Sequence, residues 1–319
     1  MLDFTLVIPT YNRQHLLPEL LDRLQQQTDI DSIAWEIIIV DNNSKDDTAN
    51  IIRDYQNRWD RPYPLEYILE IKQGAAFARQ RGLKEAKGEF VGFLDDDNLP
   101  ALDWVFQAHQ FGKEYKQAGA FGGQIHPIIE GEIPDNFDKI KGFLAIREAG
   151  DKPRPYQPEV LSLPVGAALV VRRQAWLDCV PQKLMLSGKV AESMVQGDDW
   201  EPLMYLYKNG WKIWYNPKMH SDHKIPAWRL EREYLLSLIQ GSCLSFFPLR
   251  AIVANNGQKL TIFTRTVLGN SYRALWHWLR YRDRLKTDIV AACELQIYLS
   301  RIASPFYYLK MKIKPGQYS

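Results

Sequence analysis

Short β-rich runs and helical patterns alternate through the first half of this 319-residue chain. The runs predict strands over residues 5–9, 35–40, 65–71, 90–94 and 118–122, and the intervening segments predict helices over 16–27, 46–57, 75–86 and 102–116. Such alternation is typical of an α/β fold in which a mostly parallel sheet is flanked by helices. Ligands of these folds bind beyond the carboxyl ends of the strands, so the residues that follow each strand are the candidate site.

The fourth predicted strand runs directly into three consecutive carboxylates, Asp95, Asp96 and Asp97. Adjacent acids repel one another, and in a low-dielectric setting they need a cation or a bound proton. Hard divalent cations such as Mn2+ or Mg2+ take oxygen ligands and leave positions for substrate phosphates. One interpretation is therefore a metal–diphosphate site. The other is a solvated acidic turn that caps the helix near Leu102.

The composition argues against several classes of protein. Hydrophobic residues make up 46% of the chain and charged residues 24%, which favours neither a disordered nor a fibrous protein. The three cysteines, Cys179, Cys243 and Cys293, are widely spaced, which favours reduced thiols and a cytosolic setting. We expect no signal peptide, and the best candidate for a membrane span, residues 235–254, is interrupted by Gln, Gly, Pro and Arg. The sequence therefore predicts a cytoplasmic protein that is soluble or peripheral.

The second half of the chain is less regular. Residues 125–163 form a Pro- and Gly-containing segment that could cover a site. An ordered stretch over 165–171, helices beginning at Gln174 and spanning 199–209, and a strand over 211–215 are predicted after it. From Lys259 to the end, eleven Lys or Arg residues face three acids, so the basic excess is carboxy-terminal.

A second pair of acids, Asp198 and Asp199, follows Gly197 at a loop-to-helix junction. Acids at a helix amino terminus are stabilised by the helix dipole by about 0.3 to 1 kcal/mol, which is a purely structural explanation. Adjacent carboxylates also raise each other's pKa, which suits a general base that works near neutral pH. The residues alone leave both interpretations open.

Four segments occur in an order that resembles the family 2 glycosyltransferases. They are Pro9-Thr10-Tyr11-Asn12-Arg13 after the first strand, Val40-Asp41-Asn42-Asn43-Ser44 after the second, Gly74 with Arg79 in the third helix, and Leu94-Asp95-Asp96-Asp97 after the fourth strand. The segment Gly197-Asp198-Asp199-Trp200-Glu201 is similar to a further motif of that family. The resemblance covers roughly residues 4–225, and the joint order makes it far more specific than any single motif. It implies a GT-A fold and an inverting, nucleotide-sugar-dependent enzyme.

The resemblance also implies roles for individual residues. The implied nucleotide-sugar site comprises Pro9, Thr10, Tyr11, Arg13, Asp41, Gly74, Arg79, Asp95 and Asp96. The implied metal ligands are Asp97 and Asp95, with His223 as a third contact, and the implied catalytic base is Asp199. The implied acceptor side comprises Gly166, Asp198 and Trp200. Taken singly, Tyr11 could be a packed loop aromatic, Asp41 a turn former and Arg79 a surface charge.

The predicted reaction moves a sugar from a nucleoside-diphosphate sugar to a hydroxyl of a carbohydrate or lipid-linked acceptor, with Mn2+ or Mg2+ as cofactor. By analogy with the family, the setting is the synthesis of a surface or extracellular polysaccharide. One alternative is a sugar nucleotidylyltransferase, although no Gly-rich basic loop follows the first strand. The other is a catalytically silent scaffold, against which the presence of Asp97 and Asp199 argues.

The domain prediction places a catalytic domain over residues 1–225 and a helical, basic and aromatic extension over 226–319. Within the catalytic domain, residues 1–125 form the nucleotide-sugar half and 126–225 the acceptor half. Residues 272–282 combine aromatic and basic side chains at helical spacing, which is typical of a helix at the inner face of the plasma membrane or of a packing helix with a solvated basic face. We expect no nucleic-acid partner, because the basic excess is local and no recognition motif accompanies it.

Overall fold

The computed structural model describes residues 2–186, 188 and 195–313. Within these residues, nine strands form one sheet in the order β3-β2-β1-β4-β8-β6-β9-β5, and β7 also pairs with β9. The strands are β1 (Leu2–Thr10), β2 (Trp35–Asp41), β3 (Leu65–Leu69), β4 (Gly88–Leu94), β5 (Asn98–Pro100), β6 (Ala118–Ile129), β7 (Arg154–Pro155), β8 (Ala168–Arg172) and β9 (Lys212–Ile225).

Helices cover the sheet and continue beyond it. They are α1 (Leu17–Gln25), α2 (Thr48–Asn57), α3 (Ala75–Glu85), α4 (Trp104–Glu114), α5 (Arg173–Cys179), α6 (Trp200–Lys208), α7 (Arg232–Leu244), α8 (Phe246–Val253), α9 (Asn256–Tyr281) and α10 (Ile289–Ile313). The predicted α/β class is confirmed, and every strand and helix predicted in the first half is present. Most of their ends differ by at most three residues, but β6 continues to Ile129, seven residues beyond its predicted end and into the segment predicted to be irregular.

Parallel pairing is less extensive than the sequence predicts. Strands β3, β2, β1 and β4 are parallel neighbours, but β8 lies antiparallel between β4 and β6. The reason lies in the connections. Helices α1, α2 and α3 link the first four strands and return the chain to the same end of the sheet, whereas β8 follows β6 through an irregular segment and can run the opposite way.

Side chains that alternate along the strands build a core on each face of the sheet. Phe4, Leu6 and Ile8 of β1 pack in a cluster with α1, α2 and α4. Val7 points to the opposite face, where α3, α5 and α6 supply the apolar cover. Because helices cover both faces of the sheet, a ligand can reach the sheet only at the ends of the strands, where the polar residues lie.

The carboxy-terminal helices pack directly against the rest of the protein. Leu249 and Ile252 of α8 lie in the same buried cluster as Leu203 of α6. By length and composition, the helical stretch Arg232–Val253 could cross a membrane, but 56% of its most apolar window is buried inside the protein. The predicted domain boundary falls where β9 ends, at Ile225, and stays a prediction, since packing is continuous across it.

Candidate active site

A cleft of about 1080 Å³ lies beyond the carboxyl ends of β1 and β4 and extends to α7, α8 and α10. Of the predicted site residues, the following line it: Pro9, Thr10, Tyr11, Arg13, Gly74, Arg79, Asp95, Asp96, Asp97, Gly166, Asp198, Asp199, Trp200 and His223. Residues separated by more than two hundred positions in sequence, such as Pro9 and His223, therefore meet in one concave site, which is the usual form of a small-molecule site.

Asp41 is the predicted site residue that does not line this cleft. Its carboxylate accepts hydrogen bonds from the Ser44 backbone N–H and the Tyr67 hydroxyl, each 2.9 Å long, so its observed contacts are those of a turn former. The next residue, Asn42, lines the cleft instead. Its side-chain oxygen accepts the Gly74 N–H at 2.8 Å, and Gly74 itself has a φ of 133° that favours glycine.

Arg79 joins the two acidic segments of the cleft. One guanidinium nitrogen, Nη2, lies 2.8 Å from Asp95 Oδ1, and the other, Nη1, lies 2.5 Å from Asp198 Oδ2. Burial alone would lower the pKa of Arg79, but the charges of Asp95 and Asp198 outweigh it and raise that pKa. The alternative of Arg79 as a surface helix charge is therefore wrong, because this side chain is a buried bridge.

Asp96, the middle acid of the triplet, turns toward the loop after β1. Its Oδ2 accepts a 2.7 Å hydrogen bond from the Thr10 hydroxyl, and Arg13 Nε lies 3.8 Å from its Oδ1. Burial and the neighbouring charge of Asp97 raise the pKa of Asp96 to about 7. Its carboxyl group therefore ties the loop of Thr10 to the strand end.

Asp97 is balanced by two cationic or basic side chains. Its Oδ2 lies 2.7 Å from Arg229 Nη2 and 3.6 Å from His223 Nε2, and its Oδ1 accepts a hydrogen bond from Asn98. Burial opposes its ionisation, but His223 and Arg229 hold the pKa of Asp97 well below its usual range. The triplet therefore faces arginines within the cleft and does not cap a helix, since α4 begins only at Trp104.

The fit of a divalent cation rests on two side chains. Within residues 2–186, 188 and 195–313, no group of three or more His, Cys, Asp or Glu side chains could hold a metal ion. Asp97 and His223 do lie side by side on the cleft wall, where Arg229 contacts the Asp97 carboxylate at 2.7 Å and His223 Nε2 at 3.0 Å. Cations that take further ligands from phosphates and water need only one or two protein groups, so this pair fits Mn2+ or Mg2+ where the cation replaces Arg229.

Asp199 lies at the start of α6, directly after Asp198, the second acid that Arg79 contacts. Its Oδ2 accepts the Gly166 N–H at 2.7 Å. Burial and the charge of Asp198 raise the pKa of Asp199 to about 6. Gly166 can approach so closely only because it lacks a side chain: an added Cβ would lie 3.0 Å from both Arg79 Nη2 and Asp199 Cβ.

Sequence reasoning missed three residues that shape the site. Glu201 is buried and accepts the N–H groups of Met185 and Leu186, which fixes the start of α6. Arg229 and Arg147 both line the cleft. The family-like stretch around Asp199 contains Glu201 and could have singled it out, whereas Arg229 and Arg147 lie in segments without a recognisable pattern.

Comparison with known families tests the predicted resemblance. Residues 5–147 match the sequence model described as Glycosyl transferase family 2. The predicted resemblance to that family is therefore confirmed over these residues. The family 2 region contains the Asp95 triplet and Arg79 and ends before Asp199 and His223.

Curated relatives of the family 2 region are themselves glycosyltransferases. The GalNAc(5)-diNAcBac-PP-undecaprenol beta-1,3-glucosyltransferase of Campylobacter jejuni is 40% identical over 163 residues, which are 46% of this chain and 49% of that protein. The poly(ribitol-phosphate) beta-glucosyltransferase of Bacillus spizizenii is 31% identical over 135 residues, 42% of this chain and 21% of that protein. The chain thus spans about half or less of these relatives. Their names favour the predicted transferase over a nucleotidylyltransferase.

A solved structure supports the GT-A fold. The mannosyltransferase PcManGT from Pyrobaculum calidifontis, in complex with GDP-Man and Mn2+, matches 97% of this chain and 90% of its own, with a TM-score of 0.58 and 17% identity. This likeness confirms the predicted fold of a central sheet flanked by helices.

Proposed function

We propose that this protein is an inverting glycosyltransferase that moves a sugar from a nucleoside-diphosphate sugar to an acceptor hydroxyl during the synthesis of a cell-surface polysaccharide. One observation carries the proposal. The buried guanidinium of Arg79 contacts Asp95 of the triplet on one side and Asp198, the neighbour of Asp199, on the other. The part of the cleft proposed to hold the donor phosphates and the part that holds the proposed base therefore meet at the guanidinium of Arg79.

The chemistry is a single displacement. Asp199 takes the proton of the acceptor hydroxyl, and the acceptor oxygen forms a bond to the anomeric carbon of the sugar. The bond from that carbon to the diphosphate oxygen breaks, and its electron pair leaves with the nucleoside diphosphate. Because attack and departure occur on opposite faces, the anomeric configuration inverts. The Gly166 N–H holds Asp199 in place and leaves its second oxygen for the proton.

On the donor side, several residues face the leaving group. Arg13 and Arg229 place positive charge beside Asp96 and Asp97, where the diphosphate develops its negative charge. Tyr11 is exposed on the cleft wall, where its ring can stack on a nucleobase. A divalent cation held by Asp97 and His223 would supply Lewis-acid stabilisation of the leaving diphosphate.

The function is tested by incubating the protein with UDP-, GDP- and dTDP-sugars and Mn2+, with and without chelator. We expect slow, donor-specific release of the free sugar and the nucleoside diphosphate. Sugar 1-phosphate and nucleoside triphosphate formed only with added pyrophosphate would instead identify a nucleotidylyltransferase. No turnover of any donor, with or without candidate hydroxyl acceptors, would favour the silent scaffold.

Transfer should depend on pH through Asp199. Because the pKa of Asp199 is raised to about 6 and the base must be ionised, the turnover number should be constant above pH 7 and fall about tenfold by pH 5. Asp198→Asn is the matched variant. Loss of the neighbouring charge lowers the pKa of Asp199, so the fall should move to lower pH. A wild-type profile that stays flat to pH 4.5 would remove Asp199 from this role.

We further propose that α9 contacts the cytoplasmic face of a membrane. Leu268, Tyr272, Leu275 and Leu279 are exposed at helical spacing, opposite the face that Asn270 and its buried neighbours turn inward. Arginines flank this stripe, as in helices that lie at an anionic lipid surface. Lipid-linked acceptors would make such contact useful, and the C. jejuni relative is named for an undecaprenol-linked substrate.

Flotation with phosphatidylglycerol vesicles at low salt tests this contact. Wild-type protein should float with the vesicles, and Leu275→Glu should lower the bound fraction several-fold, because it places a charge in the apolar stripe. Asn57→Glu adds the same charge on the exposed end of α2 and should float like wild type. Equal loss in both variants, or no flotation of the wild type, would leave α9 as a packing helix with a solvated face.

A further inference from the structure

Two arginines of the carboxy-terminal helices lie against the ring of Phe246, and a third on α9 adds its charge to theirs. They are Arg250 on α8, Arg265 on α9 and Arg301 on α10, and no ion pair joins them to a carboxylate within the described part of the chain. Burial, followed by the charges of Arg265 and Arg301, lowers the pKa of Arg250. We call these three side chains the arginine cluster.

Phe246, the first residue of α8, organises the arginine cluster. The guanidinium carbon of Arg301 lies 4.6 Å from the centre of its ring and that of Arg250 lies 5.7 Å away. The Nε of Arg301 is buried and has no hydrogen-bond partner. A guanidinium held on an aromatic ring keeps the N–H groups at its edge available, so the cluster is preorganised for an anion with several acceptor oxygens.

The arginine cluster reaches the cleft beside the segment that carries Asp199. Arg301 is the member of the cluster that lines the cleft, together with Phe246. Gly197, two residues before Asp199, packs so closely on Ser245 that an added Cβ would lie 3.0 Å from the Ser245 hydroxyl oxygen, and Ser245 immediately precedes Phe246.

The donor side of the cleft has arginines of its own. Asp95 contacts Arg79, and Asp97 contacts Arg229. The arginine cluster thus adds positive charge to that of Arg79 and Arg229. It lies near the segment of the proposed base and does not pair with the triplet.

We infer that the arginine cluster binds a phosphate or diphosphate group of the acceptor. This inference rests on the proposed function, because the base defines the acceptor side of the cleft. Phosphate oxygens match the planar forks of guanidinium groups, and three arginines that pair with no carboxylate of the described residues carry more positive charge than a neutral sugar requires. The acceptor hydroxyl then lies at Asp199 while the anion is held at Arg301. The same chemistry serves a lipid-linked diphosphate or the phosphate of a soluble or polymeric acceptor.

The test is calorimetric titration of the full chain with inorganic pyrophosphate and, separately, with farnesyl diphosphate, in excess UDP and GDP so that the donor side is occupied. Arg301→Gln should weaken binding of both probes about tenfold or more, since each loses a charge-assisted hydrogen bond. Arg265 is exposed, so Arg265→Gln should not disturb folding. This variant should weaken the binding of both probes several-fold. Arg273→Gln removes an exposed arginine elsewhere on α9 and should leave both affinities unchanged.

The outcomes separate this inference from the proposed function. Equal affinity for the two probes would support a soluble or polymeric phosphate acceptor, and tighter binding of farnesyl diphosphate a lipid-linked one. Binding that is insensitive to Arg265 and Arg301, in a protein that still hydrolyses a donor sugar, would overturn the inference alone. Binding to phosphatidylglycerol vesicles that depends on the cluster, without binding of either probe, would overturn it in favour of a membrane contact. Absent donor hydrolysis with retained, cluster-dependent binding would overturn the proposed function alone.

Discussion

Replacing Asp199 by asparagine should lower the rate of sugar transfer by about 10² to 10⁴-fold, the usual contribution of a positioned general base. Asparagine keeps the shape of the side chain, and its carbonyl oxygen can still accept the Gly166 N–H, but it cannot take the acceptor proton. Transfer kinetics with saturating donor measure the loss. Donor affinity, measured by titration, should change little, because the hydrogen bonds of Arg79 go to Asp95 and Asp198 and stay in place when Asp199 is replaced.

The same substitution should not weaken the fold. Asp199 is half-buried, and desolvation together with the charge of Asp198 raises its pKa, so a neutral side chain of the same size should keep or increase the melting temperature. Asp178→Asn, at an exposed position on α5, is the matched control and should retain full transfer. If the Asp199→Asn variant transferred sugar at a rate within a few-fold of the wild type, a group other than Asp199 would have to take the proton of the acceptor hydroxyl.

The fold of the first half was predictable because its strands are apolar runs separated by helical patterns. Strand β9 shows where this reasoning stops. The sequence predicts a strand over 211–215, but the strand continues to Ile225. Its second half alternates buried residues such as Ser221 and His223 with more exposed ones. These buried side chains are polar since the strand enters the cleft there, so the hydrophobic pattern that identifies strands is missing.

The charge balance of the triplet illustrates a second limit. Three adjacent acids require compensating charge, and this much follows from the sequence. The structure supplies much of it from arginines: Arg13 lies near Asp96, Arg79 contacts Asp95 and Arg229 contacts Asp97. These residues come from a loop, a helix and a turn far apart in sequence. A local motif identifies the acids, but only tertiary folding decides which cations meet them.

The acceptor side depends most on tertiary structure. The predicted members Gly166, Asp198 and Trp200 line the cleft. Its remaining wall comes from residues 139–147 and 160–165 of the irregular segment and from α7, α8 and α10 of the carboxy-terminal extension. Arg301 could not be identified as a cleft residue from the sequence, because a single arginine within an apolar helix is usually a surface charge. Its position against Phe246 follows from the packing of α10 on α8, which no short-range pattern encodes.

Replacing Arg79 by methionine should lower the free energy of unfolding by about 3 to 5 kcal/mol, the usual cost of removing one partner from a buried ion pair. Most of this cost should come from Asp198. The side chains of Arg79 and Asp198 are only 10% and 9% exposed, whereas that of Asp95 is 37% exposed and can be solvated when its partner is lost. Urea denaturation near pH 7.5 measures the change.

Two further variants isolate the cause. Asp198→Asn in the Arg79→Met background removes the unpaired carboxylate and should recover a large part of the lost stability, because the double change leaves no buried charge at that position. Arg81 lies two residues away on α3, is half-exposed and pairs with Glu85 at 3.1 Å. Arg81→Met should therefore lower the free energy of unfolding by less than about 1 kcal/mol. Equal losses for Arg79→Met and Arg81→Met, or no recovery in the double variant, would mean that the bridge between the acids does not hold the two sides of the cleft together.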